Sequence, residues 1–294
     1  MPERHAFHGK GHKQTRLQNR KTFMVVVESA GITDVGCKRT GNEDSFLVDD
    51  RMGLYVVADG MGGHQAGEVA SRVVVETMKS YMERFHNGAE VEELEAADTV
   101  LTREANRLLA SIHLANSSVF SISQSREACR GMGSTVSAIW FTGDSFIAAN
   151  VGDSPIYLIQ NNAIETLSVP HTVLAEQASM ANGDALKIDE KFRHMLTRGM
   201  GVSETVDADI CENQCYKGNT FVICSDGLSD KVTPEEILGI VRDEKAEKAC
   251  ERLVDMAKER GGEDNITVII IRVKKVKRGL GLFSLLLKKM GISK

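Results

Sequence analysis

The sequence predicts a layered α+β fold built on a mostly antiparallel sheet. Two observations support this prediction: short β-rich runs joined by Gly/Asp turns, and two long helical segments lying between blocks of such runs. A third observation is that the chain shows no internal repeat and no second hydrophobic core. We therefore expect one domain over about residues 29–273.

In the first half of the chain, β-rich runs precede the two helical segments. β-branched and aromatic residues predict strands over 23–28, 45–49 and 54–58. The third of these runs ends in a glycine-dense turn. Apolar residues that recur mostly three to five positions apart then predict helices over 66–85 and 91–114.

The second half returns to strands and ends on a strongly β-branched run. Residues 160–218 have a mixed pattern, and we expect them to include a mobile surface loop. The remaining predicted elements are strands over 134–141, 145–149, 156–159, 221–224 and 266–273, and helices over 234–241 and 246–260.

Composition places the chain among soluble globular proteins. Of its 294 residues, 42% are hydrophobic and 26% are charged, which excludes collagen-like, disordered and disulfide-scaffold classes. No stretch reaches the roughly 20 apolar residues that a membrane helix needs, and the N-terminus has no apolar signal core. We therefore expect a cytoplasmic protein.

The net charge of −5 is unevenly distributed along the chain. Residues 1–28, expected to be a basic flexible tail, carry +4, and residues 272–294 carry +8, which leaves −17 for 29–271. An acidic body repels nucleic acid, so we expect no nucleic-acid partner. The surplus of carboxylates has two interpretations, a metal site or a solvated acidic surface.

Six scattered cysteines, without CxxC spacing, are expected to be reduced thiols. A cysteine-dependent phosphatase loop needs an arginine six positions after its nucleophile. None of the six cysteines has one, so that class of enzyme is excluded.

Acidic residues recur at the ends of predicted strands. Asp44 precedes one strand, Asp59 and Asp226 follow two others, and Asp264 precedes the last. Strands that pack together bring such ends close in space, and short aspartate side chains suit hard cations such as Mg²⁺ or Mn²⁺. Because Asp-Gly is also a common turn dipeptide, spacing alone leaves a metal site and ordinary turns as open alternatives.

Six segments together resemble the metal-dependent protein phosphatase family (type 2C, PPM) in its bacterial form. The resemblance covers about residues 34–270 and implies a four-layer sandwich of two mostly antiparallel β-sheets flanked by helices, as a single catalytic domain. The segments are DVGCKRTGNED (34–44), VVADGMGGHQAGEVAS (56–71), GMGSTVSAIW (131–140), ANVGDSPIYLI (149–159), CSDGLSD (224–230) and EDNITVII (263–270).

The resemblance implies two Mn²⁺ or Mg²⁺ ions per chain and a role for each matching residue. Arg39 would hold the substrate phosphate and, with Asp59 and Asp226, would be catalytic. Glu43 and Asn265 would support the ligands without binding metal themselves. The implied metal-binding residues are Asp44, Asp59, the Gly60 carbonyl, Asp226 and Asp264.

The implied activity is hydrolysis of phosphoserine and phosphothreonine in proteins, by direct attack of a hydroxide that bridges the two ions. The implied partners are phosphorylated proteins, including a cognate Ser/Thr kinase and its substrates. The alternative is a catalytically inactive relative that binds phosphoproteins or scaffolds a complex. The complete set of four aspartates favours the enzyme.

The chain departs from the family pattern near the active site. Met61 stands where eukaryotic members carry a histidine, and His64 is the candidate acid, with turn packing as its alternative. No aspartate precedes Met132, which leaves a third ion uncertain and Asp230 as its candidate ligand.

A further departure concerns the loop that covers residues 171–201. Pro170 replaces the usual aspartate before His-Thr. Arg193 and Arg198 are candidate substrate contacts, and a solvated loop arginine is the alternative for each.

The basic C-terminal segment, 274–294, is amphipathic when 276–292 is drawn as a helix. Its possible roles are peripheral binding at the inner membrane surface, docking on a partner, packing on its own domain, or disorder. Three glycines weaken the helix prediction.

Overall fold

Two antiparallel β-sheets stack face to face in the computed structural model, which describes residues 25–62, 65–89, 98–180 and 195–276. In chain order the elements are β1 (Val25–Asp34), β2 (Asp44–Asp49), β3 (Leu54–Met61), α1 (Gln65–His86), α2 (Arg103–Ser125), β4 (Gly133–Ser134), β5 (Val136–Thr142), β6 (Ser145–Val151), β7 (Ile156–Gln160), β8 (Ala163–Thr166), α3 (Val173–Met180), β9 (Asp209–Gln214), β10 (Thr220–Cys224), α4 (Asp226–Ser229), α5 (Pro234–Asp243), α6 (Ala246–Glu259) and β11 (Ile266–Val276).

The first and last strands of the domain pair in the same sheet. Sheet I has the order β1-β11-β10-β7-β8, and sheet II has the order β2-β3-β5-β6-β9 with β4 beside β3. All strand pairings within the two sheets are antiparallel. Helices α1 and α2 pack on sheet II, whereas α5 and α6 pack on sheet I.

Three apolar layers separate these four layers of secondary structure. Alternate residues of β3 point to opposite faces, so Val56 joins the layer under α1 and α2 while Val57 joins the layer between the sheets. Between the sheets, the rings of Phe141 and Phe146 pack edge to face against Phe221. The predicted α+β sandwich with helices on both outer faces is confirmed.

The second predicted helix, 91–114, corresponds to α2 with different bounds. α2 begins at Arg103, where the side chain of Thr102 accepts a hydrogen bond from the backbone N–H of Ala105 and caps the helix. It then continues to Ser125, well past the predicted end at 114. Residues 90–97, at the start of the predicted helix, lie outside the described residues.

The region 160–218 contains regular structure that its mixed pattern did not predict. It supplies β8, α3 and β9, while 181–194 lie outside the described residues. Strands β8 and β9 are the edges of their sheets and are mostly half-buried or exposed, so their sequences lack the alternation of a buried strand. A smaller correction is that the predicted strand 134–141 is divided at Thr135 into β4 and β5.

The first and last strands extend past their predicted ends. β1 begins inside the predicted run 23–28 and continues to Asp34, and β11 ends at Val276, three residues after the predicted end at 273. Residues 25–28 and 274–276, which also fall within the expected terminal segments, are therefore strand. Apart from these residues, the N-terminal tail and the segment 276–292 lie outside the described part of the chain. Within the residues described, no helix is both long and apolar enough to cross a bilayer.

Candidate metal centre

The aspartates predicted as ligands come together at one end of the two sheets. Asp44 starts β2 and is paired in register with Asp59 near the end of β3. Asp226 lies two residues after the end of β10, and Asp264 lies two residues before β11. Asp59, Asp226 and Asp264 line one cavity of 520 Å³, together with Arg39.

Asp44 lies beside this cavity and is buried. Its Oδ2 accepts hydrogen bonds from Ser225 Oγ at 2.8 Å and from Thr267 Oγ1 at 2.6 Å. Its Oδ1 is buried without a hydrogen-bond partner. Burial raises the pKa of Asp44 to about 6, although the two hydroxyl donors favour its charged form.

The backbone of Asp59 is fixed by hydrogen bonds to Ser134 and Thr135. Its N–H donates to Thr135 Oγ1, and its carbonyl accepts from the Thr135 N–H and from Ser134 Oγ. Burial, and then the charge of Asp44, raise the pKa of the Asp59 carboxyl well above its ordinary value. The next residue must be glycine, because a Cβ on Gly60 would lie 2.1 Å from the carbonyl oxygen of Gly67 in α1.

Asp226 is the third carboxylate whose ionisation is opposed by its surroundings. Burial, followed by the charge of Asp153, raises its pKa to about 7. Its Oδ1 is also buried without a hydrogen-bond partner. Unsatisfied carboxylate oxygens among mutually repelling acids fit a hard divalent cation, which would satisfy the oxygens and neutralise the charge.

Asp264 and Arg39 form an ion pair at the cavity rim. Arg39 Nη2 donates to Asp264 Oδ2 at 2.8 Å, and both side chains are substantially exposed. Among the described residues, no three His, Cys, Asp or Glu side chains are grouped tightly enough to hold an ion as they stand. Two effects oppose such grouping: the acids repel one another, and Asp264 is engaged in its ion pair with Arg39.

Asn265 is hydrogen-bonded both to the loop that carries Arg39 and to Asp264. Its side chain binds the loop that carries Arg39: Oδ1 accepts from the Glu43 N–H, and Nδ2 donates to the carbonyls of Val35 and Gly41. Asp264 is supported by the backbone N–H of Asn265 and not by its amide. Glu43 lines the cavity, and its carbonyl accepts from the Gly60 N–H.

Asp153 is a cavity residue that sequence reasoning missed. It follows β6 in a Gly-Asp turn, the same strand-end pattern as the predicted ligands, but it was interpreted only as a turn. The candidate third ligand, Asp230, is exposed and does not line the cavity, although its charge helps to raise the pKa of Asp226. The candidate acid His64 lies outside the described residues.

The loop after α3 supplies the remaining cavity wall. Arg198 lines the cavity, and its Nη1 lies 3.3 Å from Asp209 Oδ1. The buried His171 ring accepts the Gly152 N–H at Nδ1, so its Nε2 carries the proton and faces Asp209 Oδ2 at 3.2 Å. Arg193, the other arginine singled out in the sequence, lies outside the described residues.

Comparison with known proteins identifies the family. A family model described as Protein phosphatase 2C matches residues 38–268. The serine/threonine phosphatase stp of Listeria welshimeri is 32% identical over 255 residues, covering 84% of this chain and 96% of that protein. The serine/threonine protein phosphatase PstP of Mycobacterium tuberculosis is 29% identical over 252 residues, covering 85% of this chain and 45% of that protein.

Solved structures share the fold. The Mycobacterium tuberculosis phosphatase PstP/Ppp superimposes with a TM-score of 0.71 at 27% identity, covering 85% of this chain and 100% of that one. The catalytic domain of PstP in complex with two manganese ions gives a TM-score of 0.71 at 28% identity, with the same coverage. From the sheet topology, the strand-end carboxylates and these matches together, we conclude that the chain belongs to the protein phosphatase 2C family.

Proposed function

We propose that this protein is a serine/threonine phosphatase that hydrolyses phosphoserine and phosphothreonine in proteins with two Mn²⁺ or Mg²⁺ ions. The observation that carries the proposal is the set of buried and half-buried, mutually repelling carboxylates beside one cavity, in which Asp44 and Asp226 each retain a buried, unsatisfied oxygen. Relatives named as serine/threonine phosphatases, and the manganese complex of PstP, support the same reaction and the same ions.

The ions would be held by Asp59, the Gly60 carbonyl, Asp226 and Asp264, with Asp44 behind Asp59. When bound, such ions lower the pKa of water so that hydroxide is available near neutral pH, and they offset the charge of the phosphoryl group. Ser225 and Thr267 keep Asp44 oriented through their hydrogen bonds to its Oδ2.

Arg39 is placed to bind the substrate phosphate. Its guanidinium lines the cavity and needs only to leave Asp264 in order to offer its planar fork to two phosphoryl oxygens. The Asn265 side chain keeps the Arg39 loop in place through three hydrogen bonds, so the guanidinium is presented from a fixed position. Of the aspartates that line the cavity, Asp153 is the one with no role at the two ions, so a third ion would bind there.

The test is hydrolysis of a phosphothreonine peptide by the purified full-length chain with Mn²⁺, with Mg²⁺ and with EDTA, beside Asp59→Asn. We expect turnover that depends on the metal and that EDTA and the substitution both abolish. A folded protein that binds Mn²⁺ but shows no turnover on peptides or aryl phosphates would instead be an inactive phosphoprotein-binding relative.

We further propose that its substrates include a cognate Ser/Thr kinase and the proteins that this kinase phosphorylates. The support is the activity itself, because a protein phosphatase requires a kinase that supplies its substrates. Loss of the gene should raise phosphothreonine on such a kinase, and unchanged phosphorylation would contradict the proposal.

The basic segment 276–292 is proposed to bind anionic surfaces, in keeping with its charge and apolar pattern. Co-sedimentation of the full chain with phosphatidylglycerol vesicles, but not with neutral vesicles, is the expected result. Equal recovery with both vesicle types would contradict the proposal.

A further inference from the structure

We propose that the cavity contains a subsite for an apolar side chain that flanks the phosphorylated residue of the substrate. The subsite is the apolar wall formed by Met61, Met195 and Val202. The inference rests on the proposed function, since it concerns how a phosphopeptide lies in the same cavity.

The cavity lining is of two chemical kinds. One kind is ionic and comprises five carboxylates and two guanidinium groups, from Glu43, Asp59, Asp153, Asp226, Asp264, Arg39 and Arg198. The other kind is the apolar wall, together with the neighbouring Leu196. Metal and phosphate chemistry uses the ionic part and gives the apolar wall no role.

Met61 and Val202 meet within the apolar wall because two glycines make room for them. A Cβ on Gly199 would lie 2.5 Å from the Met61 methyl carbon and 3.2 Å from a Val202 methyl carbon. A Cβ on Gly133 would lie 2.6 Å and 3.2 Å from the same two atoms. The two methyl groups therefore lie side by side over both glycines, and Met61 joins β3 to the loop that carries Val202.

Two members of the wall remain exposed. Met195 is 50% exposed and Val202 is 59% exposed, although both line a concave site. Adjacent exposed apolar groups in a cavity are a feature of binding sites, because a bound apolar group removes them from water.

The backbone that presents Val202 is held in place before any ligand binds. Ser134 and Met200 exchange two backbone hydrogen bonds, of 3.1 and 2.7 Å. The Gly201 N–H donates to Asn116 Oδ1 at 2.7 Å. The side-chain amide of Asn116 in turn donates to the carbonyls of Ser203 and Glu204 in the same loop. A preformed surface loses little conformational entropy when it binds.

The distance along the chain identifies the occupant. Met61 lies two residues after Asp59 on β3, which is about 7 Å at the rise of a β-strand. An extended peptide has nearly the same rise, so when its phosphoryl group lies at Asp59 a residue one or two positions away reaches the wall. The occupant is therefore an aliphatic residue within two positions of the phosphothreonine, and not an acidic one, which would face the five carboxylates.

The experiment uses the full-length chain with Mn²⁺ and two phosphothreonine peptides that differ only at the flanking positions, leucine in one and serine in the other. An aryl phosphate, which has no flanking residue, reports the chemistry alone. We expect the wild-type kcat/KM to favour the leucine peptide by about tenfold, the discrimination typical of a small apolar pocket.

Val202→Asp should lower kcat/KM on the leucine peptide about tenfold more than on the aryl phosphate, and should remove the preference over serine. Met195→Gln provides a second variant without an added charge and should act in the same direction. The matched control is Val169→Asp, a valine of almost equal exposure (57%) that does not line the cavity, and it should keep the preference.

The outcomes separate this inference from the proposed function. Equal rates on the two peptides, or equal losses for the Val202 and Val169 variants, overturn the subsite while the phosphatase stands. If the wild type hydrolyses neither the peptides nor the aryl phosphate with Mn²⁺, the proposed function fails and the subsite fails with it.

Discussion

Replacing Asp226 by Asn should stabilise the metal-free protein near neutral pH and, at the same time, remove its stabilisation by Mn²⁺. In the absence of cations, Asp226 is a half-buried acid with one buried oxygen and other acids around it, and the loss of solvation opposes its ionisation more than any other influence. An amide has nearly the same shape and carries no charge, so the variant relieves this cost. The same substitution removes a proposed metal ligand.

The magnitude follows from the pKa. One pKa unit is worth about 1.4 kcal/mol, so raising the Asp226 pKa from 3.8 to about 7 costs the folded state about 4 kcal/mol once the group is ionised. Two effects reduce this figure. Neighbouring carboxyls titrate together with Asp226, and an amide loses the favourable interaction of a negative charge with the N-terminus of α4. We therefore expect the substitution to raise the free energy of unfolding by about 2 kcal/mol. For a domain of this size, that gain corresponds to a rise in Tm of about 4–8 °C.

The assay is thermal unfolding at about pH 7.5, once in EDTA and once in excess Mn²⁺. In EDTA the variant should melt at a higher temperature than the wild type. Adding Mn²⁺ should stabilise only the wild type, by about 2.7 kcal/mol when the Mn²⁺ concentration is 100 times its Kd. Asp255→Asn removes one charge at an exposed position of α6 and should stay within about 0.5 kcal/mol of the wild type in EDTA. A variant that melts below the wild type in EDTA, or that keeps the Mn²⁺ response, refutes the reasoning.

Three further outcomes are expected. The metal-free protein should lose stability as pH rises from about 4 to about 7, because the folded-state pKa values of Asp44 and Asp226 lie above that of an unfolded aspartate; unfolding in EDTA across this range measures it, and rising stability contradicts it. Thr267→Val removes a donor to the buried Asp44 carboxylate and should cost about 1.5–3 kcal/mol in urea unfolding, whereas a cost below about 0.5 kcal/mol would show that this hydrogen bond contributes little. Arg272→Met removes the guanidinium that binds carbonyls at the C-terminal end of α5, and it should lower the free energy of urea unfolding by about 1–3 kcal/mol with kcat/KM unchanged. A change in kcat/KM would instead link β11 at this position to the site.

The carboxylates of the site could be predicted from the sequence because each lies at a strand end, and strand ends have clear local signals. Asp153 carries the same signal and was nevertheless interpreted as a turn, since a Gly-Asp pair between two strands is sufficient for a hairpin. The local pattern therefore identifies candidate acids, but it does not distinguish those that face the cavity.

Contacts that join distant segments could not be predicted in the same way. The donors to Asp44 come from Ser225 and Thr267, and Thr267 stands in a β-branched run where threonine is an ordinary residue. The Arg39–Asp264 pair joins residues 225 positions apart. The edge strand β9 was missed for a different reason, because a strand with little burial needs no apolar alternation.

The pairing of β1 with β11 places the first and last described residues of the domain side by side, at the end away from the metal centre. Val25 and Val276 are neighbours in the register, so the chain enters and leaves the domain at one point. The segments beyond that point, 1–24 and 277–294, hold eleven basic residues and one acidic residue. Asp264 lies at the opposite end of β11, about 35 Å away at the rise of a β-strand. An anionic surface that binds the domain close to Val25 and Val276 would therefore face the end opposite the metal centre.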